Sequence, residues 1–151
     1  MTPEEQHEIL QEIGGLILDS IESDWQEITV KYSATSSAAS TKLYLTNNEG
    51  GTHKADAPPS EVGSLLQKLR SGMHREDTGT WYAAEYIITQ PGNFTVNYDY
   101  DSKPEFPFDL DPRTYYNDFN EFPRPFDQVP DWLRDEISKA QEIIDREESP
   151  S

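Results

Sequence analysis

Between Phe94 and Asp101 the chain alternates without a fault: Phe94, Val96, Tyr98 and Tyr100 on one side, Thr95, Asn97, Asp99 and Asp101 on the other. A side-chain period of two is that of a β-strand, and rings opposite polar groups require a sheet buried on one face and wet on the other. Sheets of that kind are built from antiparallel pairs. Trp81 to Gln90 supplies a second strand, and the intervening Gln90-Pro91-Gly92-Asn93 suits a tight turn, so the two form a hairpin.

The other elements arrange themselves around that hairpin. From Pro3 to Ile21 the residues Ile9, Ile13, Leu16, Ile17 and Ile21 recur at three- and four-residue steps, the stripe of an amphipathic helix. Thr2 before Pro3, with Glu4 and Glu5 in the first turn, starts it. Gly14 and Gly15 weaken it by up to about 1 kcal/mol each, a cost explained either by a bend in the helix or, more simply, by close approach of a neighbouring element. Asp24 and Trp25 open a strand through Ile28, Val30 and Tyr32; Ser33 to Thr41 reads as a mobile loop, Lys42 to Thr46 as a second strand, and His53 to Ala57 as a short third. Ser60 caps a helix with Val62, Leu65, Leu66, Leu69 and Met73 on one face, and Gly72 ends it. Pro130 and Asp131 begin a last helix carrying Leu133, Ile137, Ala140 and Ile144, with Glu147 to Ser151 fraying. This order predicts an α+β fold: an antiparallel sheet of about four to five strands with helices packed on one face, in one domain over residues 1–151.

Between the hairpin and the last helix lies an acidic, aromatic arm, at about residues 99–130. From Tyr98 to Asp127 there are nine of the chain's 17 aromatic residues and eight carboxylates against three bases. So many rings predict an ordered segment that turns Phe106, Phe108, Tyr115, Phe119 and Phe122 inward and its acids outward. Twelve bases against 29 acids give the whole chain a formal charge of −17, which repels nucleic acid and anionic membrane and favours a basic partner.

Sites for chemistry are harder to find. The absence of cysteine excludes disulfides, thiolate metal sites and a cysteine nucleophile, and fits a cytoplasmic protein. The N-terminus has acids where an export signal needs bases, and no apolar run approaches a membrane span. No Walker loop, Rossmann fingerprint, G-x-S-x-G or H-E-x-x-H occurs, and His7, His53 and His74 lack ligand spacing. Asp99 and Asp101 would stand about 7 Å apart on one strand face, within range of paired-carboxylate chemistry, but a chain this small and polar builds large clefts poorly. Read as a calcium loop from Asp99, the required glycine and glutamate positions hold Pro104 and Leu110. No catalytic residue, metal ligand or cofactor is therefore assigned. A small cation-dependent hydrolase using these carboxylates, or a general acidic interaction module, remains the alternative.

The N-terminal helix with its isoleucines, the Asp24-Trp25 entry to a strand through Ile28, and a hairpin whose second strand reads FTVNYDYD together resemble the YezG-like immunity proteins. After Asp101 the chain departs from the ending associated with that family, reading DPRTYYNDFNEFPRPFDQVPDWL instead. The resemblance implies a cytoplasmic, non-enzymatic antitoxin that binds and neutralises a toxin domain of a bacterial competition system, several such toxins being nucleases. A nuclease is basic where it grips phosphate, and a surface of carboxylates could occupy that site. The expected contact residues are Asp99, Asp101, Glu105, Asp109, Asp111, Asp118 and Glu121 for charge, with Tyr100 and Tyr116 as amphipathic rings.

Overall fold

A computed structural model describes residues 1–148. Helix α1 spans Pro3–Ser20, strands β1, β2 and β3 span Glu27–Ala34, Ala39–Thr46 and Thr52–Ala55, and helix α2 spans Ser60–Gly72. Strands β4 and β5 span Ala83–Thr89 and Asn93–Asp99; helices α3, Pro112–Glu121, and α4, Asp131–Glu148, follow. The five strands form one antiparallel sheet in the order β3-β2-β1-β4-β5, the α+β architecture expected.

Alternation along the strands decides which face is covered. Ile28, Val30 and Tyr32 of β1, Leu43 and Leu45 of β2, and Ala84, Tyr86 and Ile88 of β4 are buried together with Ile9, Ile13 and Ile17 of α1 and Val62, Leu66 and Leu69 of α2. Phe94, Val96 and Tyr98 of β5 pack against this core on the same side. Their neighbours Thr95, Asn97 and Asp99 are exposed on the opposite face. Thr2 caps α1 through a reciprocal pair: its hydroxyl accepts the Glu5 N–H, and the Glu5 carboxylate accepts the Thr2 N–H. Gly14 lies where a Cβ would stand 2.7 Å from the Tyr86 hydroxyl, so β4 is the element that approaches α1; beside Gly15 there is open space.

A second, smaller core joins Tyr82, Tyr115, Val129 and Leu133, with Phe119, Trp132 and Ile137 packed against it. One irregularity in β4 connects the two. Ala83 is the register partner of Asp99, yet the Tyr82 N–H also reaches the Asp99 carbonyl at 2.9 Å. Two residues facing one are the mark of a β-bulge. The bulge lets Trp81 enter the first core, where it packs at 5.5 Å on Tyr98, while Tyr82 turns to the second.

Four sequence expectations need correction. Ser33 to Thr41 is not a mobile loop: β1 runs to the fully buried Ala34, β2 starts at Ala39, and only Thr35 to Ala38 turn. The cap of α2 is Pro59 and not Ser60. The arm contains a helix, α3, which Asp111 caps ahead of Pro112. Glu147 lies in α4 and accepts from Arg113 at 2.7 Å; residues 149–151 fall outside the described span.

Candidate partner-binding surface

What holds the arm is a buried charge pair. Arg70, in the last turn of α2, and Asp118, on α3, are each almost fully removed from solvent. A guanidinium and a carboxylate are expensive to bury unless every polar atom finds a partner. Here Arg70 Nη1 and Nη2 donate to the two Asp118 oxygens at 2.7 and 2.9 Å, and Nε donates to the Trp81 carbonyl at 2.7 Å. Asp118 also accepts the Ser36 N–H at 2.7 Å, which fastens the β1–β2 turn to α3. The rings of Tyr82 and Phe122 lie 5.2 and 5.4 Å from the guanidinium carbon. Asp118 was expected on the partner surface; it is a structural anchor and cannot reach a partner. Tyr115, Asp118, Phe119 and Phe122 fall at i, i+3, i+4 and i+7, a helical spacing that would have placed Asp118 on the inward side.

A second arginine ties both ends of the arm. Arg124 donates to the carbonyls of Tyr100 at 2.6 Å and Gln128 at 3.1 Å, and to the Asp101 carboxylate at 3.1 Å. Gly79, at φ +72, permits that approach: a Cβ there would lie 2.9 Å from Arg124 Nε. The Trp132 indole N–H donates to the Asp101 carbonyl at 2.6 Å, and His74 Nε2 meets the Pro123 carbonyl at 2.7 Å. The arm is thus fixed to the sheet end and to α2 before any partner arrives.

The remaining expected residues divide by what already engages them. Asp99 accepts the N–H groups of Ser102 and Asp101, and these bonds hold its carboxyl below the usual carboxylate range. Asp111 caps α3 and pairs with Arg113 at 2.8 Å, chiefly for which its carboxyl falls to about 2. The Asp101 side chain is 82% exposed despite its bond to Arg124. Glu105, Asp109 and Glu121 are exposed and make no ion pair or hydrogen bond among the described residues. Tyr100 is half-buried against the first core, and that burial raises its phenol; Tyr116 is half-buried on α3.

Two adjoining grooves bring some of these groups together. Asp99 and Glu105 share one of about 460 Å³ with Glu85, Asn97, Lys31 and Lys103; Glu105 and Asp109 share one of about 570 Å³ with Phe106, Phe108, Lys42 and Lys139. Asp101, Asp111, Tyr116 and Glu121 line neither. Charge in the grooves is mixed. Acids dominate the outer side of α4, where Asp131, Asp135, Glu142 and Asp145 are exposed and unpaired among the described residues, with Arg146 beside them in the last turn. Reading the arm alone missed that stripe, although its three-, four- and seven-residue steps are legible. It also missed Phe126, whose ring is 76% exposed and lies 4.5 Å from the Arg134 guanidinium. Of the arm rings expected inside, Tyr115 is buried, Phe106, Phe119 and Phe122 are half-buried, and Phe108 is 50% exposed. Among the described residues no three histidines or carboxylates converge as a metal site would require, and no helix is long and apolar enough to cross a membrane.

A family model described as "Immunity protein YezG-like" matches residues 52–131. The matched span begins at β3, passes through α2, the β4–β5 hairpin and the whole arm, and ends at the first residue of α4. It therefore runs through the segment after Asp101 where the sequence reading placed a departure, and it leaves out α1. No curated protein matches the chain.

Proposed function

The chain belongs to the YezG-like immunity protein family, and on that premise we propose that it binds a cognate bacterial toxin domain and neutralises it stoichiometrically. The observation that carries this reading, beyond membership, is a set of exposed carboxylates without internal partners. Glu105, Asp109 and Glu121 on the arm, with the α4 stripe, are free to meet a cationic surface. A toxin that grips phosphate must present such a surface, so a nuclease active site is the proposed target. Carboxylates spread over rigid elements give fast, steered association, the property an inhibitor needs when an unbound toxin kills its host.

Preorganisation supports the same reading. Arg70 and Arg124 satisfy the buried carbonyls and Asp118, leaving little ordering entropy to be lost when the arm docks. The chain acts in the cytoplasm of the producing cell, by occlusion and without catalysis. Co-expression tests this. Cells making the cognate toxin domain alone die, and cells making both survive and yield a co-purifying pair; death of the doubly expressing cells, with no complex recovered, sinks the proposal.

A further inference from the structure

The sheet ends in two unlike edges. β3 has four residues and carries His53 and Lys54, whereas β5 has seven, with no proline, no lysine and no charge before Asp99. Open edges invite pairing with another chain, and sequences usually blunt them with charge, proline or brevity. Only β3 is blunted.

The register says which backbone groups β5 offers. The Asp99 carbonyl points into the sheet, where it accepts the Tyr82 N–H, so by alternation Asn97, Thr95 and Asn93 also face β4. Phe94, Val96 and Tyr98 then direct their N–H and C=O groups outward, and among the described residues these make no backbone hydrogen bond there. Beside the edge lies a groove of about 280 Å³ between α1 and β5, lined by Gly14, Gly15, Leu18, Tyr86 and Phe94. It is mainly apolar, and Gly15 keeps it open: nothing stands within 4 Å of where its Cβ would be.

We propose that an extended segment of the toxin adds to the sheet at β5, its backbone pairing with Phe94, Val96 and Tyr98 and an apolar side chain entering the α1–β5 groove. Strand addition takes affinity from main-chain bonds and specificity from pockets for alternate side chains, and both parts are present. A second copy of this chain is the poorer occupant, because two bodies each of formal charge −17 repel. A cationic toxin is drawn to the same place, with Asp99 and Asp101 at the end of the edge. The inference rests on the immunity reading and adds where the toxin docks.

Amide hydrogen exchange, read by NMR on the free chain and on its complex with the co-expressed toxin domain, tests the edge. The Phe94, Val96 and Tyr98 amides exchange rapidly in the free chain and slow at least about tenfold in the complex, as a newly made backbone bond requires. A complex in which they stay fast overturns the edge while leaving the immunity reading intact; no complex and no protection from killing overturns both. Gly15→Leu tests the groove. It should melt no lower than the parent and bind the toxin about tenfold more weakly; unchanged affinity removes the groove from the interface.

Discussion

Arg70 and Asp118 lie 48 residues apart in the chain and meet through two parallel bonds of 2.7 and 2.9 Å, with almost no solvent on either side chain. Removing one partner strands the other charge. Asp118→Ala should lower unfolding free energy by about 3–5 kcal/mol, read from the denaturant midpoint, and loosen the Ser36 turn. The double variant Arg70→Met/Asp118→Leu should lose clearly less, because no uncompensated charge remains. Equal losses in the two would show that shape, not charge, ties α3 to the sheet.

Gly14 and Gly15 are neighbours with opposite constraints. Gly14→Ala should destabilise by about 1–3 kcal/mol, because its Cβ would displace the Tyr86 hydroxyl from its 2.7 Å bond to the Leu10 carbonyl. Gly15→Ala should stabilise by about 0.5–1 kcal/mol, since helix propensity improves and nothing is crowded. Thermal melting of the pair decides: two shifts of the same sign contradict the packing of β4 on α1.

Alkaline pH should unfold the protein through its tyrosines. Burial pushes the phenols of Tyr32, Tyr98 and Tyr115 up to about 12, above the ordinary value of 10. A folded-state pKa raised above the unfolded one gives stability that is complete below pH 10 and lost as pH rises through 12. The melting temperature should therefore hold up to about pH 10 and fall steeply beyond it. Ultraviolet titration of phenolate should show these tyrosines ionising together with unfolding; early ionisation in the folded state would contradict their burial.

Charge on α4 should govern how fast the toxin is caught. Asp135→Lys, Glu142→Lys and Asp145→Lys together should slow association about tenfold or more and flatten its dependence on salt, with little change in melting temperature. Stopped-flow binding at two ionic strengths provides the measurement. An unaltered association rate would move the electrostatic contribution to the arm.

Local patterns made much of the fold legible. The Thr2-Pro3 start of α1, the apolar stripe of α2 and the alternating β4–β5 hairpin all speak through neighbours in sequence, so they read correctly. Partners far apart did not. Arg70 looks like a solvated residue near the end of α2, and only Asp118 and the Trp81 carbonyl reveal it as buried. Ser33 to Thr41 read as a loop because alanine and serine are weak strand formers, yet close packing at Ala34 favours a small side chain. For the surface, Asp101, Glu105, Asp109 and Glu121 were rightly seen as exposed acids, whereas Asp118 was hidden by an unrecognised helix and the α4 stripe by attention to the arm. Which of these groups a partner touches is written in the partner.

The single extra residue at Tyr82 and Ala83 sets the two cores out of phase with one another. Sliding β4 by one position against β1 or β5 cannot trade one acceptable packing for another, because such a slip would move Trp81 and Tyr82 out of two different cavities at once. The bulge thus works as a check on strand alignment: one misplaced pairing is penalised twice, at two adjacent residues that fill different cores, which leaves the sheet a single register in which to close.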